Sequence, residues 1–138
     1  MTPAFVSSIL GQVPPGKKVR TLTLPPKEKG RKIVRIDGLD DKRLKHLEHL
    51  DLSGHAIKQL QGVAHLSKLT ALLLSGNAIG PKLSGLETLS SLRKLDLSHN
   101  RLASADGVET LVAMEELNLN GNMLQELPVD IGNLRSIR

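Results

Sequence analysis

The hydrophobic positions of this chain recur in one pattern, L-x-x-L-x-L-x-x-N-x-L, in which the intervening positions are mostly polar. Copies begin at Leu47, Leu69, Leu92 and Met114, so that successive copies are 22, 23 and 22 residues apart. Within each copy the apolar residues alternate as in 95–97, which is the period of a β-strand. One coil cannot bury its apolar side alone. A repeat of this length therefore predicts a solenoid in which stacked coils pair their strands in parallel.

The asparagine of the pattern predicts a ladder of side chains inside the turns. Asn77, Asn100 and Asn122 follow the strand positions, where the chain turns inward and backbone groups lose their strand partners. A carboxamide offers both a donor and an acceptor, so it can satisfy its own coil and the next one. His55 holds this position in the first full copy. A neutral imidazole also has one donor and one acceptor, so we expect it to substitute in part.

These residues resemble the leucine-rich repeat family over 47–138. The return segments 57–66 and 102–111 are similar to the 22-residue intracellular subtype, found in a regulatory subunit of type-1 protein phosphatase and in axonemal and ciliary proteins. Residues 127–134 look more like the 23-residue subtype, and Gly80-Pro81 accounts for the extra residue of the second copy. The resemblance implies an α/β fold, a right-handed horseshoe solenoid of about five strands with a parallel concave β-sheet.

The pattern divides the chain into a cap and a repeat domain. Residues 1–18 are predicted to form an N-terminal helical cap, with a helix over 3–10, and a linker. The repeat domain is predicted over 19–138, with a degenerate capping repeat at 19–46 that carries a basic insertion, and regular repeats at 47–68, 69–91, 92–113 and 114–136. In the degenerate repeat, Ile33 corresponds to Ile57. A further coil begins at Ile137 without a capping helix, so we expect either that the natural protein continues beyond Arg138 or that a partner covers this end, and we favour the first.

Composition favours an intracellular protein with an aliphatic core. The only aromatic residue is Phe5, and there is no cysteine. Secreted members of the resembled family usually close their ends with disulfide-bonded caps, so the absence of cysteine predicts a reducing, cytoplasmic location. The start of the chain has no basic leader typical of a signal peptide, and no apolar run is long enough for a membrane span. The subtype resemblance adds the cytoskeleton, cilium or centrosome as settings.

Horseshoe proteins of the resembled family usually bind partners on the concave strand face. Leu73 is either an apolar anchor within a polar rim, the usual anatomy of a binding patch, or a single exposed leucine without a function. The sequence contains no tryptophan or tyrosine to strengthen such a patch. The candidate protein-binding residues on this face are His49, Asp51, Leu73, Lys94, Asp96, Glu116 and Asn118.

Positive charge is concentrated near the N-terminus. The whole chain has a formal net charge of +5, whereas 17–35 holds eight lysines and arginines against one glutamate. Within it, Lys27, Lys29, Arg31 and Lys32 form either a solvated loop or a contact for an anionic surface, such as acidic tubulin tails. No aromatic residue lies among these cations to stack on bases, which makes nucleic acid an unfavourable partner.

The sequence contains no motif for catalysis, for a cofactor or for a metal. It lacks a cysteine nucleophile, a glycine-rich phosphate loop and the H-E-x-x-H pattern. We therefore expect a non-enzymatic scaffold or adaptor that binds another protein inside the cell. Three alternatives remain at this point: a purely architectural N-terminal module, a regulatory subunit of a phosphatase, and an anion-binding module that works through the basic insertion.

Overall fold

Five short strands form one parallel sheet. The computed structural model describes residues 18–24, 32–34 and 44–128. The strands are β1 (Thr21–Thr23), β2 (His49–Asp51), β3 (Ala71–Leu73), β4 (Lys94–Asp96) and β5 (Glu116–Asn118). They lie side by side in chain order, and every neighbouring pair is parallel. The predicted solenoid with a parallel sheet is confirmed.

The return path of two coils contains short 3₁₀ helices. They span Gln61–Val63 and Val108–Thr110. The helix predicted over 3–10 lies outside the described residues. None of the helices in the described part of the chain is long and apolar enough to cross a bilayer.

The strand register stacks equivalent positions of the repeat. Leu50 pairs with Leu22 on one side and with Leu72 on the other. Thr21 pairs with His49, 28 positions further along, whereas His49 pairs with Ala71 after 22 positions. The first coil is therefore longer than the second, as the predicted insertion requires.

The interior is a stack of aliphatic side chains. In the coil that begins at Leu47, the buried residues include Leu50 of β2, Leu52 directly after it, and the return positions Ile57, Leu60 and Val63. In the next coil the step from Ile79 to the following buried residue, Leu83, is one position longer. The extra residue therefore lies at Gly80-Pro81, as predicted. Full burial of each such side chain contributes about 1.5–3 kcal/mol. Among the described residues, the buried core contains aliphatic side chains and no aromatic ring.

The predicted ladder of polar side chains joins the turns of successive coils. Asn77 accepts a hydrogen bond at Oδ1 from the Ile57 N–H (3.1 Å) and donates from Nδ2 to the carbonyl oxygens of Leu52 (2.9 Å) and Leu74 (3.0 Å). Asn100 and Asn122 make the equivalent three hydrogen bonds, two to backbone groups of the preceding coil and one to a carbonyl oxygen of their own coil. Among the described residues, no buried side-chain nitrogen or oxygen lacks a partner.

Gly80 is needed because the third coil approaches the fourth closely at this point. Its φ is 149°, and a Cβ built there would collide with the carbonyl oxygen of Arg101. The peptide bond to Pro81 is cis, and the Pro81 carbonyl accepts a hydrogen bond from the Ala103 N–H at 2.8 Å. The longer turn is thus tied to the next coil by backbone contacts.

Candidate protein-binding face

Two rows of side chains point away from the core along the sheet, and we call this surface the sheet face. The first row follows the first residue of each strand, and the second row follows the third residue. The rows are Thr21, His49, Ala71, Lys94 and Glu116, and Thr23, Asp51, Leu73, Asp96 and Asn118. All the residues predicted for the concave face therefore belong to one surface. Their part in binding stays a prediction.

Three of the predicted binding residues also hold the turns that follow their strands. Asp51 Oδ1 accepts a hydrogen bond from the Ser53 N–H at 3.0 Å. Asp96 Oδ1 accepts from both the N–H (2.9 Å) and the Oγ hydroxyl (2.6 Å) of Ser98. The equivalent bond in β5 joins Asn118 Oδ1 to the N–H of the residue two positions on, at 3.1 Å. These bonds close short turns of the kind that Asp and Asn favour, so the side chains have fixed orientations.

Sequence reasoning missed this structural task. The spacing D-x-S in two coils and N-x-N in a third was the available signal, since an acceptor two residues before a backbone donor is typical of such turns. Leu73 has no acceptor at this position. In its coil the Ser75 hydroxyl is instead within 2.8 Å of the Ser98 hydroxyl, which links the two turns.

Ion pairs between neighbouring strands order the charges of the sheet face. Lys94 Nζ lies 3.2 Å from Glu116 Oε2. In the column just before the strands, Arg93 pairs with Glu115 at 3.6 Å. These side chains are half or more exposed, so each pair contributes only about 0–1 kcal/mol to stability. Their effect is to place opposite charges side by side on β4 and β5.

Leu73 is the one large apolar side chain among the ten positions of the two rows. It is half-buried, and the register places it between Asp51 and Asp96. A shallow depression beside it, over β4 and β5, is lined mainly by polar side chains such as those of Lys94 and Asn120. This surface is suited to a polar partner with one apolar contact, rather than to a large apolar ligand.

The predicted basic contact lies mostly outside the described residues. Lys27, Lys29 and Arg31 fall there, and Lys32 is exposed. Within 18–24, 32–34 and 44–128, no group of three or more His, Cys, Asp or Glu side chains is placed to hold a metal ion.

A second group of basic side chains lies where the chain enters the first strands, and sequence reasoning counted Lys18 in the basic stretch 17–35 but did not single out His46 or Lys68. Lys18, His46 and Lys68 each stand three positions before paired strand residues. Alignment of the three copies on their leucines was the signal that could have found them. Burial first, and then the charges of Lys18, Lys68, Lys45 and Arg20, lower the pKa of His46 below its ordinary value.

Comparison with known proteins agrees with this geometry. A family model described as Leucine Rich repeats (2 copies) matches residues 90–136, and another described as Leucine Rich repeat matches residues 43–58. No curated protein sequence matches the chain.

Many solved structures share the fold, including one from Listeria monocytogenes and one from Leptospira interrogans. An internalin from Listeria monocytogenes is 24% identical, with a TM-score of 0.66, and the match covers 77% of this chain and 31% of the internalin. A leucine-rich repeat protein from Leptospira interrogans is 24% identical, with a TM-score of 0.54, over 78% of this chain and 33% of the other. This chain therefore spans about a third of each of these proteins, and the likeness concerns the fold.

Proposed function

Since this chain is a leucine-rich repeat protein, we propose that it is a scaffold or adaptor whose sheet face binds another protein. Proteins built from these repeats generally act in protein–protein interaction. The observation that carries the proposal is the register of the five strands, which aligns ten outward positions in two rows on a rigid aliphatic core. A surface held in this way binds with little loss of conformational freedom.

The side chains on the sheet face support a partner of mixed charge. Asp51 and Asp96 use Oδ1 to close their turns, which holds the carboxylates in place and leaves Oδ2 for a partner. Lys94 and Glu116 place one charge of each sign beside them. The partner we propose has basic and acidic groups that complement these positions and one apolar group that packs on Leu73.

The cellular setting we propose is intracellular, in a cytoskeletal, ciliary or centrosomal assembly. Its support is the similarity of 57–66 and 102–111 to the 22-residue subtype, together with the lack of cysteine in the sequence. Regulation of a phosphatase is the alternative with the same support. We propose no catalytic role, because leucine-rich repeats typically serve as interaction modules and the sheet face is open and shallow.

The test is a pull-down from a eukaryotic lysate with the parent chain beside a sheet-face variant, Leu73→Glu, Lys94→Glu and Asp96→Lys. A matched control carries the same kinds of change on exposed positions away from the sheet face: Val112→Glu, Lys58→Glu and Asp106→Lys. Val112 is 72% exposed, and the other two side chains are also exposed. The proposal predicts partners that the parent and the control retain and the sheet-face variant loses.

Because Asp96 closes a turn, the thermal midpoint of each variant is measured alongside. A second variant that lacks the Asp96 change, Leu73→Glu with Lys94→Glu, separates loss of binding from loss of the turn. If this second variant captures the same proteins as the parent, the sheet face is not the binding surface. The architectural alternative then replaces the proposal.

A further inference from the structure

The N-terminal ends of the first three strands carry a cluster of positive charge. We call Lys18, Arg20, Lys45, His46 and Lys68 the basic edge. Thr21, His49 and Ala71 are paired in register, so the residues three positions before them occupy equivalent places in successive coils. At the usual strand spacing, Lys18 and Lys68 are separated by roughly 10 Å, with His46 between them.

The positive charges of the basic edge all act on the His46 side chain. Burial lowers the pKa of His46, and all four other members lower it further through their positive charge. Glu48 opposes them through an ion pair of 3.8 Å with Arg20, in which the two side chains are 69% and 48% exposed. Of the carboxylates that the structure describes, Glu48 alone forms an ion pair with a member of the cluster.

The other end of the sheet differs in this respect. Arg93 and Lys94 each pair with a glutamate on the neighbouring coil. At the position equivalent to Lys18, the fourth and fifth coils have Ser91 and Ala113. Among the described residues, the excess of positive charge at this edge therefore lies on the first three coils, and it does not involve the two rows of the sheet face.

We propose that the basic edge is a docking surface for an acidic protein segment in an extended conformation. An extended chain of the polyproline II type advances about 3.1 Å per residue with three residues per turn, so carboxylates three residues apart lie on one side at about the separation of Lys18 and Lys68. Opposite charges at these distances favour association and steer its approach. The basic edge is separate from the two rows of the sheet face. Binding at the basic edge therefore does not require the partner proposed for the sheet face.

The chemistry of the basic edge favours protein over nucleic acid or membrane. Its members include no phenylalanine, tyrosine or tryptophan, and the His46 imidazole is the single ring on which a base could stack. The exposed large apolar residues among those described are Val34, Val112, Met123 and Leu127, and none belongs to the cluster. A surface that inserts into a bilayer would need such residues beside its cations.

The experiment measures binding of a fluorescently labelled poly-glutamate peptide to the full chain at low salt, with the His46 ring followed by NMR. We expect saturable binding that weakens as salt is added. We also expect the bound peptide to raise the pKa of His46, because its carboxylates offset the surrounding cations. The test variant is Lys18→Glu, Lys45→Glu and Lys68→Glu. The matched control, Lys58→Glu, Lys82→Glu and Arg101→Glu, changes the net charge equally at exposed positions elsewhere.

The proposal predicts that affinity falls about tenfold or more in the test variant and by much less in the control, since several ion pairs are lost only in the former. If the charge-reversed chain does not fold, a variant with glutamine at the same three positions removes the positive charges without reversing them. Equal losses in test and control, or an unchanged His46 pKa in the complex, would overturn the proposal. Tighter binding of duplex DNA or of phosphatidylserine vesicles than of poly-glutamate would overturn the choice of a protein partner.

Discussion

His55 and Asn77 occupy the same position in successive coils and satisfy the same two backbone groups with different side chains. The Nδ1 atom of His55 accepts from the Ile33 N–H at 3.1 Å, and its Nε2 atom lies 2.6 Å from the Leu24 carbonyl oxygen. Because Nδ1 accepts, the proton is on Nε2, which donates. Asn77 makes the corresponding bonds to Ile57 and Leu52, and adds one to a carbonyl of its own coil. The imidazole is therefore a two-bond substitute for a three-bond amide.

Replacement of His55 separates these contributions. His55→Asn is expected to be neutral or stabilising by up to about 1 kcal/mol, because the amide adds the missing bond within its coil. His55→Ala is expected to cost about 1–3 kcal/mol, since it leaves buried Ile33 and Leu24 backbone groups unpaired. Urea denaturation of the three chains measures both differences. A loss above about 1 kcal/mol in His55→Asn would show that the imidazole makes a further contact.

His99 stands in a column of residues with left-handed backbone. Its φ is 54°, and the equivalent Gly54, Gly76 and Gly121 have φ of 77°, 70° and 70°. Since a side chain in this conformation costs about 1–2 kcal/mol, His99→Gly is expected to raise the free energy of unfolding by about 1 kcal/mol, the more flexible unfolded chain offsetting part of the gain. Gly76→Ala is expected to lower it by a similar amount. A destabilised His99→Gly chain would mean that the imidazole contributes more by contact than it costs in strain.

Leu72 and Leu73 are neighbours with opposite roles. Leu72 is fully buried in the core, whereas Leu73 is half-buried on the sheet face. Leu72→Ala is expected to cost about 2–5 kcal/mol, the usual range for a buried leucine. Leu73→Ala is expected to cost less than about 1 kcal/mol and to weaken partner capture. Chemical denaturation and pull-down of the two variants compare these effects, and equal destabilisation would place Leu73 in the core.

The pKa of His46 makes a prediction for pH. Burial and the nearby cations keep the folded-state pKa below the ordinary histidine value of about 6.5, so the unfolded chain binds the proton more readily. This contribution to stability is present above pH 6.5 and is lost as the pH falls through that value towards the folded pKa. NMR titration of the His46 ring checks the direction. Lys68→Gln, or added salt, is expected to raise the midpoint, and a midpoint above the ordinary value would contradict the electrostatic account.

The repeat fold could be predicted because its physical requirements recur at a fixed spacing. Leu50 and Leu72 had to face one interior, and Asn77 had to meet backbone groups of two coils, so alignment alone predicted the sheet and the ladder. The degenerate first coil was also recognisable from the match of Ile33 to Ile57. The structure agrees, because the Ile33 carbonyl oxygen accepts a hydrogen bond from the Ala56 N–H as the Ile57 carbonyl oxygen does from the Ala78 N–H.

The candidate sites were less accessible to sequence reasoning. Asp51 and Asp96 were interpreted as candidate protein-binding residues, and the D-x-S spacing that indicates their part in closing the turns was not considered. Lys18 and Lys68 are 50 positions apart in the sequence, and only the strand register brings them to one edge. The binding roles of the sheet face and of Lys27, Lys29, Arg31 and Lys32 stay predictions, because the repeat pattern constrains the core and leaves the outward side chains free.

The most direct test of the sheet face as the binding surface is site-specific photo-crosslinking in a eukaryotic lysate. A benzophenone side chain replaces Leu73 in one chain and Val112 in a control chain, and the covalent products are identified by mass spectrometry. The account predicts one or more proteins linked through position 73, absent from the position 112 control and displaced by excess parent chain. Identical products from both positions, or none from position 73 that excess parent chain displaces, would contradict it.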